Sequence, residues 1–213
     1  MISENLKLDW QSLYRHRRSI RDQFGDVWEL PVKKRYHQVL SAYGSSGISL
    51  LEVGAGDRKL AEKMSGYWGR FSYCSCDIDR TFDHDFASVD DVEGLFDIIC
   101  AFEVIEHLGL EEAASMLIKL RLHLKPKGLL LLSTPNIFYP PAFMRDATHV
   151  TPFCYDELGG LVSMMGYRVQ SIYRLYHDPL LKKFVRRVLM YSFFRILGID
   201  FAKQVVLVAV NPG

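Results

Sequence analysis

The sequence predicts an α/β protein built on a doubly wound sheet. Three observations carry this: apolar runs of strand length alternate with amphipathic stretches of helix length, the central runs are continuously apolar, and the links are short. Residues 8–24 and 30–43 show helical periodicity, broken by Gly25 and by Gly44-Ser45-Ser46-Gly47. Residues 48–53 form a buried strand, 57–65 a helix, 71–78 a second strand and 89–95 a short helix. A third strand spans 96–102 and a helix 111–123. Lys125-Pro126-Lys127-Gly128 turns the chain into a strand over 129–133, which Thr134-Pro135-Asn136 stops. A helix over 155–165 ends at Gly166, and strands over 167–176 and 204–210 follow. In such sheets the ligand site lies beyond the carboxyl ends of the strands.

With 213 residues, 49% of them apolar, the chain can bury one full core. No apolar run approaches the roughly 20 residues of a membrane-spanning helix, and the N-terminus is too polar for a signal peptide, so the expected compartment is the cytoplasm. Cys74, Cys76, Cys100 and Cys154 contain no C-x-x-C pair, which argues against a zinc ribbon or a redox motif. Net charge is +1 but unevenly spread. Between Cys76 and Glu112 twelve Asp and Glu face the single Arg80, whereas Arg174 to Lys203 carries seven Lys and Arg against Asp178 and Asp200. The first region suits a cation, the second an anionic surface.

The run Leu50-Leu51-Glu52-Val53-Gly54-Ala55-Gly56-Asp57 is an apolar strand entering a Gly-x-Gly turn, and Asp77 follows at the end of the next strand. This is the pattern of a nucleotide-cofactor pocket. Glycines admit a ligand close to the backbone, the next helix offers N–H groups, and a carboxylate about 20 residues on accepts ribose hydroxyls. A dinucleotide fingerprint would want a third glycine where this chain has Lys59, which disfavours a nicotinamide dehydrogenase.

Glu52-x-Gly54-x-Gly56 resembles motif I of the class I S-adenosylmethionine-dependent methyltransferases, and the resemblance spans roughly residues 48–210. It implies a Rossmann-like seven-stranded sheet, parallel except for an antiparallel last strand. N-terminal helices (1–46) would form a lid or substrate region before a cofactor-binding domain (47–213), and a helical insertion (175–203) would precede the last strand. By the same resemblance Glu52, Gly54, Ala55, Gly56, Asp77, Ile78, Asp85, Phe86, Phe102 and Glu103 contact the cofactor, Asp85 and Phe86 at the adenine and Glu103 towards the methionine end. Arg58 departs from the pattern by replacing its third glycine, where it could crowd the cofactor carboxylate.

Methyl transfer is an in-line displacement that depends chiefly on placing the nucleophile. His107 and His149, at element ends that should face the pocket, are candidate bases for a hydroxyl proton. Glu103, Glu106, His107 and His149 are also a candidate metal set. The E-x-x-E-H string resembles magnesium-dependent O-methyltransferases of ubiquinone biosynthesis and of small-RNA 3′ ends, although metal-free methyltransferases carry similar strings. Three functions follow: O-methylation of a small molecule, glycan or lipid-linked precursor; RNA 2′-O-methylation, against which near-neutral charge weighs; or a non-catalytic cofactor-binding protein. No N-P-P-Y-like motif follows the 96–102 strand, which favours oxygen as acceptor.

Two regions outside the core bear on the acceptor. Arg15, His16, Arg17, Arg18 and Arg21 would grip an anionic substrate or form a solvated helix face. Between Pro179 and Leu197, one helical stripe carries Leu181, Phe184, Val185, Val188, Leu189 and Ser192, and another carries Lys182, Lys183, Arg186 and Arg187. Such a segment lies in a membrane surface or packs on a partner or on its own sheet.

Overall fold

The computed structural model describes residues 8–213; residues 1–7, the polar N-terminus included, lie outside it. Helix α1 (Trp10–Phe24) starts at Asp9, whose carboxylate accepts the N–H groups of Gln11 and Ser12, and ends at Gly25, whose φ of 74° breaks the helix. The 30–43 stretch is not one helix. Val32–Lys33 is a short strand, β1, and only Tyr36–Ser41 is helical, α2. Pro31, which bars the preceding residue from helical geometry, and the pairing of Val32 with Arg174 override the periodicity.

The remaining order is β2 (Ser49–Val53), α3 (Lys59–Trp68), β3 (Ser72–Cys76), β4 (Phe96–Phe102), α4 (Leu110–Leu122), β5 (Leu124–Pro135), α5 (Pro140–Met144), α6 (Tyr155–Met164), β6 (Arg168–Leu175), α7 (Leu180–Phe184), α8 (Tyr191–Ile196) and β7 (Gln204–Val210). Residues 89–95 hold one 3₁₀ turn, Val89–Asp91, instead of a helix. The Lys125–Gly128 turn sits inside β5 as an irregularity: Leu124 pairs with Phe96, and pairing resumes at Leu129 opposite Ile98.

The seven strands run in the order β1-β6-β7-β5-β4-β2-β3, and β7 alone is antiparallel to its neighbours. The seventh strand is therefore β1 at the β6 edge. At the opposite edge Phe86 forms a single parallel bridge to Cys76 beside β3. Both faces are covered. α1, α4 and α6 pack on one side around Ile99, Leu130 and Leu207, while α2 and α3 pack on the other around Leu50, Ile98 and Leu131. Successive apolar residues of β4 and β5 thus point into different cores, which explains their continuous hydrophobicity. The four cysteines are free.

Candidate active site

The chain leaves β2 towards β3 on one side and returns to β4 on the other, so a crevice opens between the carboxyl ends of β2 and β4. Gly54 (φ 71°) and Gly56 (φ 47°) turn the chain there in left-handed geometry. A Cβ on Gly54 would collide with Val104, so glycine lets the loop after β4 close over the turn; a Cβ on Gly56 would meet nothing within 4 Å, which leaves an open floor. Gly54 N–H donates to Cys76 O (2.8 Å) and Gly56 N–H to Asp77 Oδ2 (2.8 Å). Asp77 Oδ1 accepts the Asp79 N–H at 2.9 Å. The Asp77 carboxylate therefore pins the glycine turn to the end of β3 while remaining half-exposed in the crevice. Ile78 beside it projects into solvent, and Ala55 is buried within the turn.

Glu52 is buried on β2, where the Tyr73 hydroxyl donates to its Oε2 at 2.6 Å. Burial pushes its carboxyl up to about 7, against the pull of that hydrogen bond. Arg58 occupies the left-handed N-cap of α3. Its guanidinium swings to the β3 flank, donating to Asp83 O (3.0 Å), lying over the Tyr73 ring and approaching Asp85 Oδ2 (3.8 Å). Asp85 takes both the N–H and the hydroxyl of Ser75 on one oxygen, each at 2.8 Å. Although partial burial opposes it, these bonds hold its carboxyl below the usual range. Asp85 and Phe86 thus run along the free edge of β3.

Phe102 ends β4 with its ring 4.7 Å from that of Tyr36, forming one wall. Glu103 follows in left-handed geometry (φ 57°), which costs about 1 kcal/mol for a residue with a Cβ. Ser133, the β5 residue registered against Phe102, holds it there: its Oγ accepts the Glu103 N–H (3.0 Å) and donates to Glu103 Oε1 (2.8 Å).

Glu106, His107 and His149 converge, with ligand atoms all within 4.8 Å of one another. Glu106 is 0% exposed, and neither carboxylate oxygen has a hydrogen-bond partner. Burial, reinforced by the Glu103 charge, pushes its carboxyl up to about 8. Its backbone oxygen accepts the N–H groups of Val150 (2.7 Å) and Thr151 (3.0 Å), and this brings the 143–151 loop back over the 3₁₀ turn Ile105–His107. The two imidazoles then stand 4.9 Å apart, edge to face. His107 Nδ1 lies 3.2 Å from Thr148 O, and His149 Nδ1 lies 2.7 Å from Phe143 O. A carbonyl only accepts, so Nδ1 is the donor in each ring, and in a neutral ring Nε2 is then the acceptor. Glu103, the fourth member of the expected set, is not among the three.

A profile of the methyltransferase-domain family matches residues 27–172, more than half of the chain. The chain belongs to the methyltransferase-domain family. The class implied by Glu52-x-Gly54-x-Gly56 and Asp77 is thereby shown. No curated protein matches this methyltransferase in sequence. Its fold is similar to an S-adenosylmethionine-dependent methyltransferase of Archaeoglobus fulgidus, with TM-score 0.63 at 15% identity, covering 95% of this chain and 100% of that one. It is similar also to a Haloferax volcanii putative methyltransferase solved with the activator Trm112 (TM-score 0.62, 13% identity, 99% and 100% covered). A third similar structure is the N-methyltransferase NodS of Bradyrhizobium japonicum with S-adenosyl-L-homocysteine (TM-score 0.57, 16% identity, 96% and 98% covered).

Sequence reasoning missed the residues that hold the methyltransferase's site in place. Tyr73 and Ser133 are ordinary strand residues until the register sets them against Glu52 and Glu103. The buried pair Arg174–Asp200 (3.0 Å) gave one local signal, a lone charged residue within each of the short apolar stretches 172–176 and 199–202. That pair lines a cavity of about 240 Å³ with Trp28, Tyr176, Arg187 and Phe201, beneath the α7–α8 segment.

Proposed function

We propose that this methyltransferase moves the methyl group of S-adenosylmethionine to a hydroxyl oxygen of a small-molecule, glycan or lipid-linked acceptor. The observation that carries the choice of oxygen is the convergence of Glu106, His107 and His149 on the loop that closes over the glycine turn. S-Adenosylmethionine supplies an electrophilic methyl on sulfur; in transfer the S–C bond breaks, an O–C bond forms and the hydroxyl gives up its proton. The residues present fit that donor. The floor at Gly56 is open, and Asp77 at the end of β3 and Glu103 after β4 flank the crevice from opposite sides. His107 is the more open imidazole, and its Nε2 lone pair is the group to take the proton. Glu106, protonated at neutral pH, adds no charge that would repel an approaching alkoxide.

A second reading keeps the reaction and adds a divalent ion, because buried carboxylate oxygens without any partner are unusual in a folded interior. Two imidazoles and one carboxylate suit Zn²⁺ or Mn²⁺ better than Mg²⁺, which prefers oxygen ligands. When bound, such an ion would lower the pKa of an acceptor hydroxyl. Titrating S-adenosylhomocysteine into the protein by calorimetry, with chelator, with Mg²⁺ and with Zn²⁺, tests both readings. Micromolar binding lost in Asp77→Ala supports the pocket. Metal dependence lost in His149→Ala supports the ion. No binding under any condition removes the proposal.

A further inference from the structure

The α7–α8 segment is an amphipathic surface turned the unusual way round. Leu180 is 86% and Ile196 84% exposed, and Leu181, Val188, Leu189 and Phe193 also face solvent. Meanwhile a cation and an aromatic ring point inward. Arg186 donates to Asp178 (2.6 Å) and lies 3.9 Å from the Phe201 ring centroid, and Phe194 stacks edge-on against Phe201 at 4.6 Å. The segment is therefore anchored through Arg186 and Phe194 with its apolar side presented outward. A contiguous exposed apolar face of this kind marks an interaction surface.

Charge selects the occupant. Residues 179–199 contain five cations and no Asp or Glu; Arg186 is held by Asp178 and Arg195 approaches Asp26 (3.9 Å), which leaves Lys182, Lys183 and Arg187 for an outside partner. Lys183 and Arg187 flank a shallow groove of about 330 Å³ whose other walls are Leu180, Phe184 and Val188. That is a basic rim over an apolar floor. A second copy of the chain would bring the same cations against themselves in a two-fold contact. No helix among the described residues is long and apolar enough to cross a membrane. We infer that the α7–α8 face docks on the surface of a bilayer containing anionic phospholipid, with its apolar row in the headgroup boundary and its cations on the phosphates.

This docking goes beyond the proposed reaction and does not depend on it, since it concerns a different surface. Its position has a consequence for access. The segment leaves the end of β6 at Leu175 and returns at Gln204, which pairs with Pro135 at the end of β5. It therefore stands at the same end of the sheet as the crevice, so docking brings the crevice end to the bilayer.

Flotation of the purified full chain with phosphatidylcholine vesicles, with and without phosphatidylglycerol, tests the inference. Binding is expected to anionic vesicles only and to fall at least about tenfold at high salt, where the Debye length shrinks to about 3 Å. Lys182→Gln and Lys183→Gln should each weaken it roughly fivefold. Leu181→Asp with Ile196→Asp should abolish it; both side chains are exposed, and an unchanged circular dichroism spectrum confirms the fold. Equal binding to neutral vesicles, absence of binding, or insensitivity to these variants overturns the inference. A dimer that Leu181→Asp dissociates, without vesicle binding, assigns the face to a second copy instead.

Discussion

Arg174→Met should be the most damaging single change outside the crevice. Arg174 and Asp200 are 5% and 3% exposed. The guanidinium donates to Asp200 Oδ1 (3.0 Å), Leu30 O (3.1 Å) and Trp28 O (2.7 Å), while Asp200 Oδ2 also accepts the Asn136 amide (2.9 Å). One side chain thereby joins β6, the segment before β1 and the loop leading into β7. Removing one partner of a buried pair leaves the other charge uncompensated, at a cost of about 3–5 kcal/mol, or on the order of 10 °C in Tm for a domain of this size. Burial already raises the Asp200 carboxyl above its ordinary value despite Arg174. Without Arg174 it rises further, so the acid stays neutral over a wider range. The folded variant then binds protons that its unfolded chain has lost, and the penalty grows as pH rises above the ordinary carboxylate range. Urea denaturation from that range upward, with a double-mutant cycle through Asp200→Leu, measures this. Replacing both partners should recover at least half of the loss. A single-variant cost below about 1 kcal/mol, or a strictly additive double variant, would show that the pair is not the anchor described here.

Glu52→Gln should flatten the pH dependence of stability. The native carboxyl lies at about 7 against an ordinary 4.5, so the folded state holds its proton after the unfolded chain has lost it. Stability contributed by the neutral form is lost as pH rises between those values, by up to about 3 kcal/mol, and parallel wild-type and variant curves would contradict the assignment. Gly54→Ala should destabilise the protein by about 2 kcal/mol through left-handed strain and the Val104 collision, and weaken S-adenosylhomocysteine binding at least tenfold by calorimetry. His107→Ala should lower turnover about 10²-fold or more while leaving S-adenosylhomocysteine affinity within threefold, once an acceptor is in hand. Arg58→Gly should change that affinity less than about threefold, because the guanidinium rests on the β3 flank and glycine suits the left-handed cap.

The doubly wound sheet was legible because its evidence is local. Apolar runs such as Phe96–Phe102 and Gln204–Val210 must be strands, and observed and expected limits coincide for both. The glycine turn was equally legible, since left-handed geometry at Gly54 and Gly56 is a property of those residues themselves. Local patterns failed where a distant partner decides. Val32–Lys33 looks helical until Arg174 and Leu175 offer an open sheet edge, and Lys125–Gly128 looks like a simple turn until β4 continues past it.

The loop after β4 shows both halves of this lesson. Glu103, Glu106 and His107 sit close in sequence, and a helical turn would converge all three. The backbone turns left-handed at Glu103 instead, Ser133 takes its N–H and its carboxylate, and Glu103 stays outside the three-residue cluster. His149, a member of the expected set 43 residues beyond Glu106 in sequence, joins Glu106 and His107 because the Val150 and Thr151 bonds to Glu106 O bring it back across the loop. Residue types at short spacing supplied the candidates; the strained φ at Glu103 and one pair of backbone hydrogen bonds decided which of them meet.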